Sequence, residues 1–278
     1  MFQGSQSEGT SGSASGSATT AVLDRPTRRT GDHRDFGPEL DVLRLGSDAR
    51  LTDLLPRMRF DLRNVPTVVI DLVEGVPATE HRAGGVLDPE VAAAIGASLG
   101  AWHAGAADHA DRFRIAPDTP PRGLVARDPL LGAVLAAVAA GWTTTTVIHG
   151  DCRMANASVT RSPSGCGSAT VVLTSWNRSG QGDPAWDLGC LLADLFSSAH
   201  AEDRAAAAEP AVSAAVAAYG RTSGMAGDIE LPGRVARCMV ARLVGLGLED
   251  DDPLALELAR SMAAWLPTWT RRFGLWLG

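Results

Sequence analysis

His149-Gly150-Asp151-Cys152-Arg153-Met154-Ala155-Asn156 places a carboxylate and an amide five residues apart in one turn. In phosphoryl transfer, the Asp of such a loop accepts the proton of the attacking hydroxyl, and an Asn five residues on holds Mg²⁺ against the nucleotide phosphates. Asp151 is therefore the candidate base and Asn156 the candidate metal ligand. The apolar and β-branched stretches 145–148 and 170–174 read as strands leading in and out. The Ser/Pro/Gly-rich segment 162–168 between them reads as a loop or hairpin.

Further elements are needed to position that turn. Downstream, Ser175-Trp176-Asn177 is followed by Gly182-Asp183-Pro184-Ala185-Trp186-Asp187-Leu188-Gly189. Together with the first motif, this order resembles the aminoglycoside phosphotransferase family, whose members share a two-lobed fold with the protein kinases. Upstream, Val68-Val69-Ile70-Asp71-Leu72-Val73-Glu74-Gly75 resembles the strand and hinge joining the lobes, and Leu99-Gly100-Ala101-Trp102-His103 resembles the family's L-x-x-L-H helix. The resemblance covers about residues 65–270 and implies a protein-kinase-like α+β fold. It also implies a nucleotide site against Leu72, Val73 and Glu74, and ATP and Mg²⁺ as cofactors if the chain is active. On the same basis Asp187 is the buried aspartate that bonds the catalytic-loop backbone, and His149 a structural imidazole. Asp183 reads either as the cap of a helix starting at Pro184 or as part of a relocated cation site.

The departures from the family pattern matter as much. Where the family has the Asp of its I-D-W-E motif, this chain has Ser175, and a hydroxyl is a weak ligand for Mg²⁺, which carboxylates and phosphates normally hold. The chain contains no lysine at all, so all 25 of its Lys+Arg residues are arginine. The lysine that pairs with nucleotide phosphates therefore cannot be present, and a planar guanidinium is not a direct substitute for an ammonium. Too little chain precedes the hinge for a complete small lobe. The expected organisation is a disordered tail at 1–34, a truncated small lobe and hinge at 35–76, and a mainly helical large lobe at 77–278. In the small lobe, 41–45 reads as a strand and 48–56 as a short helix ended by Pro56.

In the large lobe, helices are expected at 89–102, 129–141, 184–199, 203–219, 233–246 and 253–274, the last broken at Pro267. At 278 residues and 45 % hydrophobic content the chain can bury a substantial core. The Ser/Gly-rich first twenty residues carry too little apolar surface to order themselves. A net charge of −7 argues against nucleic acid as the main partner. Cys152, Cys166, Cys190 and Cys238 show no C-x-x-C spacing and imply neither zinc nor a disulfide framework. With neither a secretory signal nor an apolar run long enough to span a bilayer, a cytoplasmic location without membrane contact is expected. The absence of lysine beside abundant Ala and Arg suggests a bacterium of high GC content.

Two functional classes stay open on the sequence. One is an ATP- and Mg²⁺-dependent phosphotransferase in which Arg44 or Arg50 replaces the lysine, acting on a hydroxyl of a small molecule or of peptide Ser/Thr. The other is a pseudokinase scaffold that binds a peptide or partner protein. Proteins resembling this family work beside a lyase on the precursor peptides of ribosomally made, modified products. The two missing charges weigh toward the scaffold, because electrostatic positioning of phosphate is nearly all that the fold contributes to this reaction.

Overall fold

The computed structural model describes residues 20–24, 37–62, 67–71, 73–116, 128–161, 169–225, 227–249 and 251–278. Its architecture is α+β: a small antiparallel sheet precedes a large helical body. The sheet joins β1 (Thr20–Asp24), β2 (Met58–Leu62) and β3 (Thr67–Asp71) in the order β1-β3-β2. β1 falls inside the tail expected to be disordered. Its residues Ala21, Val22 and Leu23 pair with Ile70, Val69 and Val68, so a distant strand supplies backbone partners that the average composition of the tail conceals.

Residues 41–45 are not a strand. Gly37–Arg44 forms helix α1, which starts before the expected segment, carries proline in its first turn and buries Leu40, Val42 and Leu43. It packs on the turn Trp176–Arg178, and the Ser179 hydroxyl donates to the Pro38 carbonyl at 3.2 Å. Residues 48–56 are successive turns, not a helix. The Asp48 carboxylate accepts its neighbour Arg50 N–H at 2.9 Å, and Thr52 Oγ1 donates to the carbonyls of Gly46 and Asp48. Such local side-chain bonds compete with a helical ladder.

After the hinge region come three two-residue strands, β4 (Val76–Pro77), β5 (Arg82–Ala83) and β6 (Val86–Leu87). Helix α2 (Pro89–Ala106) follows, with Asp88 accepting Glu90 N–H at 2.9 Å as its N-cap. It runs one turn beyond the expected end. Helix α3 (Pro129–Ala140) is capped in the same way by Asp128. The strands β7 (Thr146–Ile148), β8 (Ala157–Thr160), β9 (Thr170–Leu173) and β10 (Gly180–Gly182) carry the functional loops. β8 pairs with β4 and β9, and β7 with β10.

The remaining helices are α4 (Pro184–His200), α5 (Glu209–Thr222), α6 (Leu231–Glu249), α7 (Pro253–Ala264) and α8 (Leu266–Leu277). α5 starts later than expected because Ala205–Ala208 is a 3-10 turn. The final break falls at Trp265, and Pro267 sits in the first turn of α8, where its missing N–H has no intrahelical partner to lose. α2 packs closely on α5. A Cβ on Gly96 would meet the Ala215 carbonyl oxygen at 2.1 Å, so only glycine permits this approach. Trp102, Trp176 and Ile148 lie fully inside the core. No helix among the described residues is long and apolar enough to cross a membrane.

Candidate active site

Strand β7 delivers His149 into a turn that the first residues of α4 hold from below. Gly150 adopts φ +81°, and a Cβ there would meet the Arg178 carbonyl oxygen at 2.2 Å, so the turn needs glycine on both counts. Asp187, fully buried, accepts the backbone N–H of His149 at 2.6 Å and of Gly150 at 2.8 Å. The Nε2 of His103 lies 3.0 Å from the same carboxylate, and its Nδ1 lies 2.9 Å from the Tyr219 hydroxyl. Trp186 Nε1 donates to the Gly150 carbonyl at 3.1 Å. Farther along α4, Asp194 accepts Met154 N–H at 2.8 Å, and burial raises the pKa of its carboxyl. One helix thus fixes both ends of the loop.

His149 is buried. Its Nδ1 accepts Asp151 N–H at 3.3 Å while Nε2 donates to the Thr174 carbonyl at 2.7 Å, the pattern of a neutral ring. Burial lowers its pKa, opposed by the charge of Asp187. Asp183 caps α4 by accepting Ala185 N–H at 2.9 Å. It also lies 3.2 Å from Nε of Arg234 and accepts Thr143 N–H at 3.4 Å. Burial raises its pKa, and the cap bond and Arg234 oppose that shift. At 2 % exposure it is enclosed by protein partners, an environment for a cap and not for a solvated cation.

The carboxylate of Asp151 is held from two sides. Arg153 donates to Oδ2 at 2.7 Å and Arg242, from α6, to Oδ1 at 3.2 Å. Asn156 turns its amide nitrogen inward, donating to the Asp151 carbonyl at 2.8 Å and to Oδ2 at 3.3 Å. Neither arginine was identified from the sequence as a site residue. Arg153 had a visible signal, two positions after the candidate base, whereas Arg242 had none. Arg44 and Arg50, the expected lysine substitutes, make other pairs: Arg44 with Asp41 at 3.0 Å, and Arg50 with Asp48 at 3.0 Å and Asp108 at 3.1 Å. α1 and the turns after it pack beside the loops at 107–112 and 176–178.

Ser175 is exposed and left-handed at φ 65°, immediately before the turn Trp176–Arg178. The donor set does not suit a Mg²⁺ ion held by this chain alone. Both Asp151 oxygens face guanidinium groups and Ser175 brings no charge, so of the three positions the Asn156 amide oxygen is the one donor of the usual kind. Among the described residues no group of three or more His, Cys, Asp or Glu is arranged to hold a metal. At the hinge, Leu72 lies outside the described residues. Val73 and Glu74 line a cavity of about 390 Å³ with Thr52, Pro56 and Thr160, and the Glu74 carbonyl accepts the Thr160 hydroxyl at 2.9 Å. Cys152, Cys190 and Cys238 are buried free thiols whose pKa values burial raises; Cys166 lies outside the described residues.

The model of the phosphotransferase enzyme family APH matches residues 15–224, three quarters of the chain. The chain belongs to this family. Comparison with curated proteins finds no match. Among solved structures, the Plasmodium vivax ethanolamine kinase superposes with a TM-score of 0.55 at 12 % identity, covering 93 % of this chain and 78 % of that one. The amicoumacin kinase hAmiN, solved with AMP-PNP, Ca²⁺ and Ami, gives 0.51 at 10 % identity, covering 90 % and 81 %. At these identities the likeness establishes the kinase-like fold of this phosphotransferase-family chain and nothing finer.

Proposed function

We propose that this phosphotransferase-family chain is a pseudokinase: a kinase-like scaffold that holds a peptide or partner protein, working beside a lyase on a precursor peptide in ribosomal peptide modification. The observation carrying this reading is the engagement of both Asp151 oxygens by Arg153 and Arg242. A base must reach the proton it takes, and this carboxylate is paired on each oxygen. Ser175 in place of a carboxylate and the lack of any lysine support the same reading, since two of the charges that phosphoryl transfer needs are missing.

Calorimetric titration of ATP with Mg²⁺ into the protein and its Asp151→Ala and Ser175→Asp variants tests it. The expected result is no Mg²⁺-dependent binding by the unmodified chain at millimolar nucleotide. Mg²⁺-dependent binding that Ser175→Asp tightens and that accompanies ADP release would establish the ATP-dependent phosphotransferase instead. A neighbouring lyase gene and a short precursor-peptide gene would be expected beside this one. A resistance or sugar-metabolism neighbourhood would count against the scaffold.

A further inference from the structure

A further cavity lies away from the catalytic loop. A groove of about 520 Å³ opens where the end of α4 meets α5, α7 and α8, with Phe196, Leu258, Trp265 and Trp269 among its walls. This volume is within the roughly 300–1,000 Å³ of ligand pockets. Asp187 and His200 sit near opposite ends of α4, so at about 1.5 Å per residue the groove lies on the order of 20 Å along the helix from the loop. It is a separate site.

Its apolar lining continues along one face. Leu254, Leu258 and Ser261 follow at helical spacing on α7, and Trp265 comes at the corner before α8. Leu254 is 47 % exposed and Trp265 63 %. The Trp265 backbone is hydrogen-bonded on both sides: its N–H donates to the Met262 carbonyl at 3.2 Å, and its carbonyl accepts from Thr268 at 2.9 Å and Trp269 at 3.1 Å. A hydrogen-bonded corner presenting a tryptophan to water offers an apolar contact. Beneath it Trp269 is already committed, with Phe196 edge-on at 5.1 Å and the Arg272 guanidinium 5.3 Å from its ring centre.

The rim charges are unbalanced. Arg272 pairs with Glu209 at 2.9 Å, whereas the exposed Glu257 makes no ion pair among the described residues. An exposed tryptophan ring and an unpaired carboxylate on one rim suit a cation carried beside an apolar group. From Leu254 to Trp265 the face runs about 16 Å, at 1.5 Å per residue, the length of roughly five residues of extended chain. We propose that this groove docks a polypeptide segment of a partner, with a large apolar side chain in the cavity and an adjacent Arg or Lys on Glu257. The inference is independent of whether Asp151 can catalyse.

Panning a random peptide library against the full chain, then titrating the synthesised consensus peptide, tests it. The expected consensus joins an aromatic or large aliphatic residue to a basic one. Trp265→Ala and Glu257→Lys should each weaken binding about tenfold, the scale of losing an interface anchor. Both rim side chains are exposed, so neither substitution threatens folding. Enrichment of no peptide, or a consensus insensitive to Trp265→Ala, overturns the proposal. So does a dimer seen by light scattering that Trp265→Ala dissolves, which would assign the groove to a second copy of this chain. Nucleotide calorimetry reads none of these outcomes, so this proposal and the scaffold reading can fail separately.

Discussion

Arg242 lies 91 residues after Asp151 in the chain and donates to its Oδ1 at 3.2 Å, with both side chains less than a tenth exposed. An ion pair removed from water this far is costly to break from one side, because the remaining charge stays buried. Arg242→Met should lower stability by about 2–4 kcal/mol, Arg153 still compensating part of the Asp151 charge. Denaturant unfolding measures it. If the double variant Arg242→Met/Asp151→Asn is no more stable than the single one, the pair is not what Arg242 contributes.

Asp187 carries the heaviest polar load of the loop. Asp187→Ala would leave two buried backbone N–H groups and the His103 ring without their acceptor, each worth about 1–3 kcal/mol. The expected outcome is a chain that unfolds at much lower temperature or does not accumulate, whereas Asn156→Ala folds with a smaller loss. Thermal melts of the two side by side decide this, and equal losses would contradict the account of α4 as the holder of the loop.

Ser175 sits in the left-handed region, at φ 65°. Asp and Asn enter that region more readily than other non-glycine residues, and β-branched ones are strained in it. Ser175→Asp should therefore be nearly neutral for stability, and Ser175→Val should cost about 1–2 kcal/mol. Chemical denaturation of both variants checks the pair. A neutral valine would mean that the turn rearranges.

His149 gives stability a pH dependence of known sign. Burial holds its folded pKa below the ordinary 6.5, so as pH falls through 6.5 the unfolded chain takes up a proton that the folded chain refuses. Stability is thus lost on acidification from pH 6.5 down to the folded pKa, with a slope of up to about 1.4 kcal/mol per pH unit from this group. Asp183 and Asp194 act oppositely: their carboxyls are raised by burial, so their contribution is largest below the ordinary carboxylate range and falls as pH rises through their folded values. Unfolding free energies at pH 5 and pH 7 for the protein and His149→Asn should show the dependence shrinking in the variant. An unchanged slope would mean that the imidazole is protonated in place.

Local chemistry made several elements legible in the sequence. Asp88 and Asp183, each followed by proline, announce two helix starts, because a carboxylate caps the free N–H groups and proline has none to lose. The spacing of Asp151 and Asn156 marked the loop, and the β-branched runs marked β7 and β9. What depends on distant partners was not legible. β1 exists because β3 offers its edge, and 41–45 became helical as part of a segment whose buried face begins at Leu40. The pairing of Asp151 with Arg242, and the meeting of His103, Tyr219 and Asp187, are decided only when α2, α4, α5 and α6 pack together. Burial then turns ordinary charges into a fixed network, an energy that sequence separation does not encode.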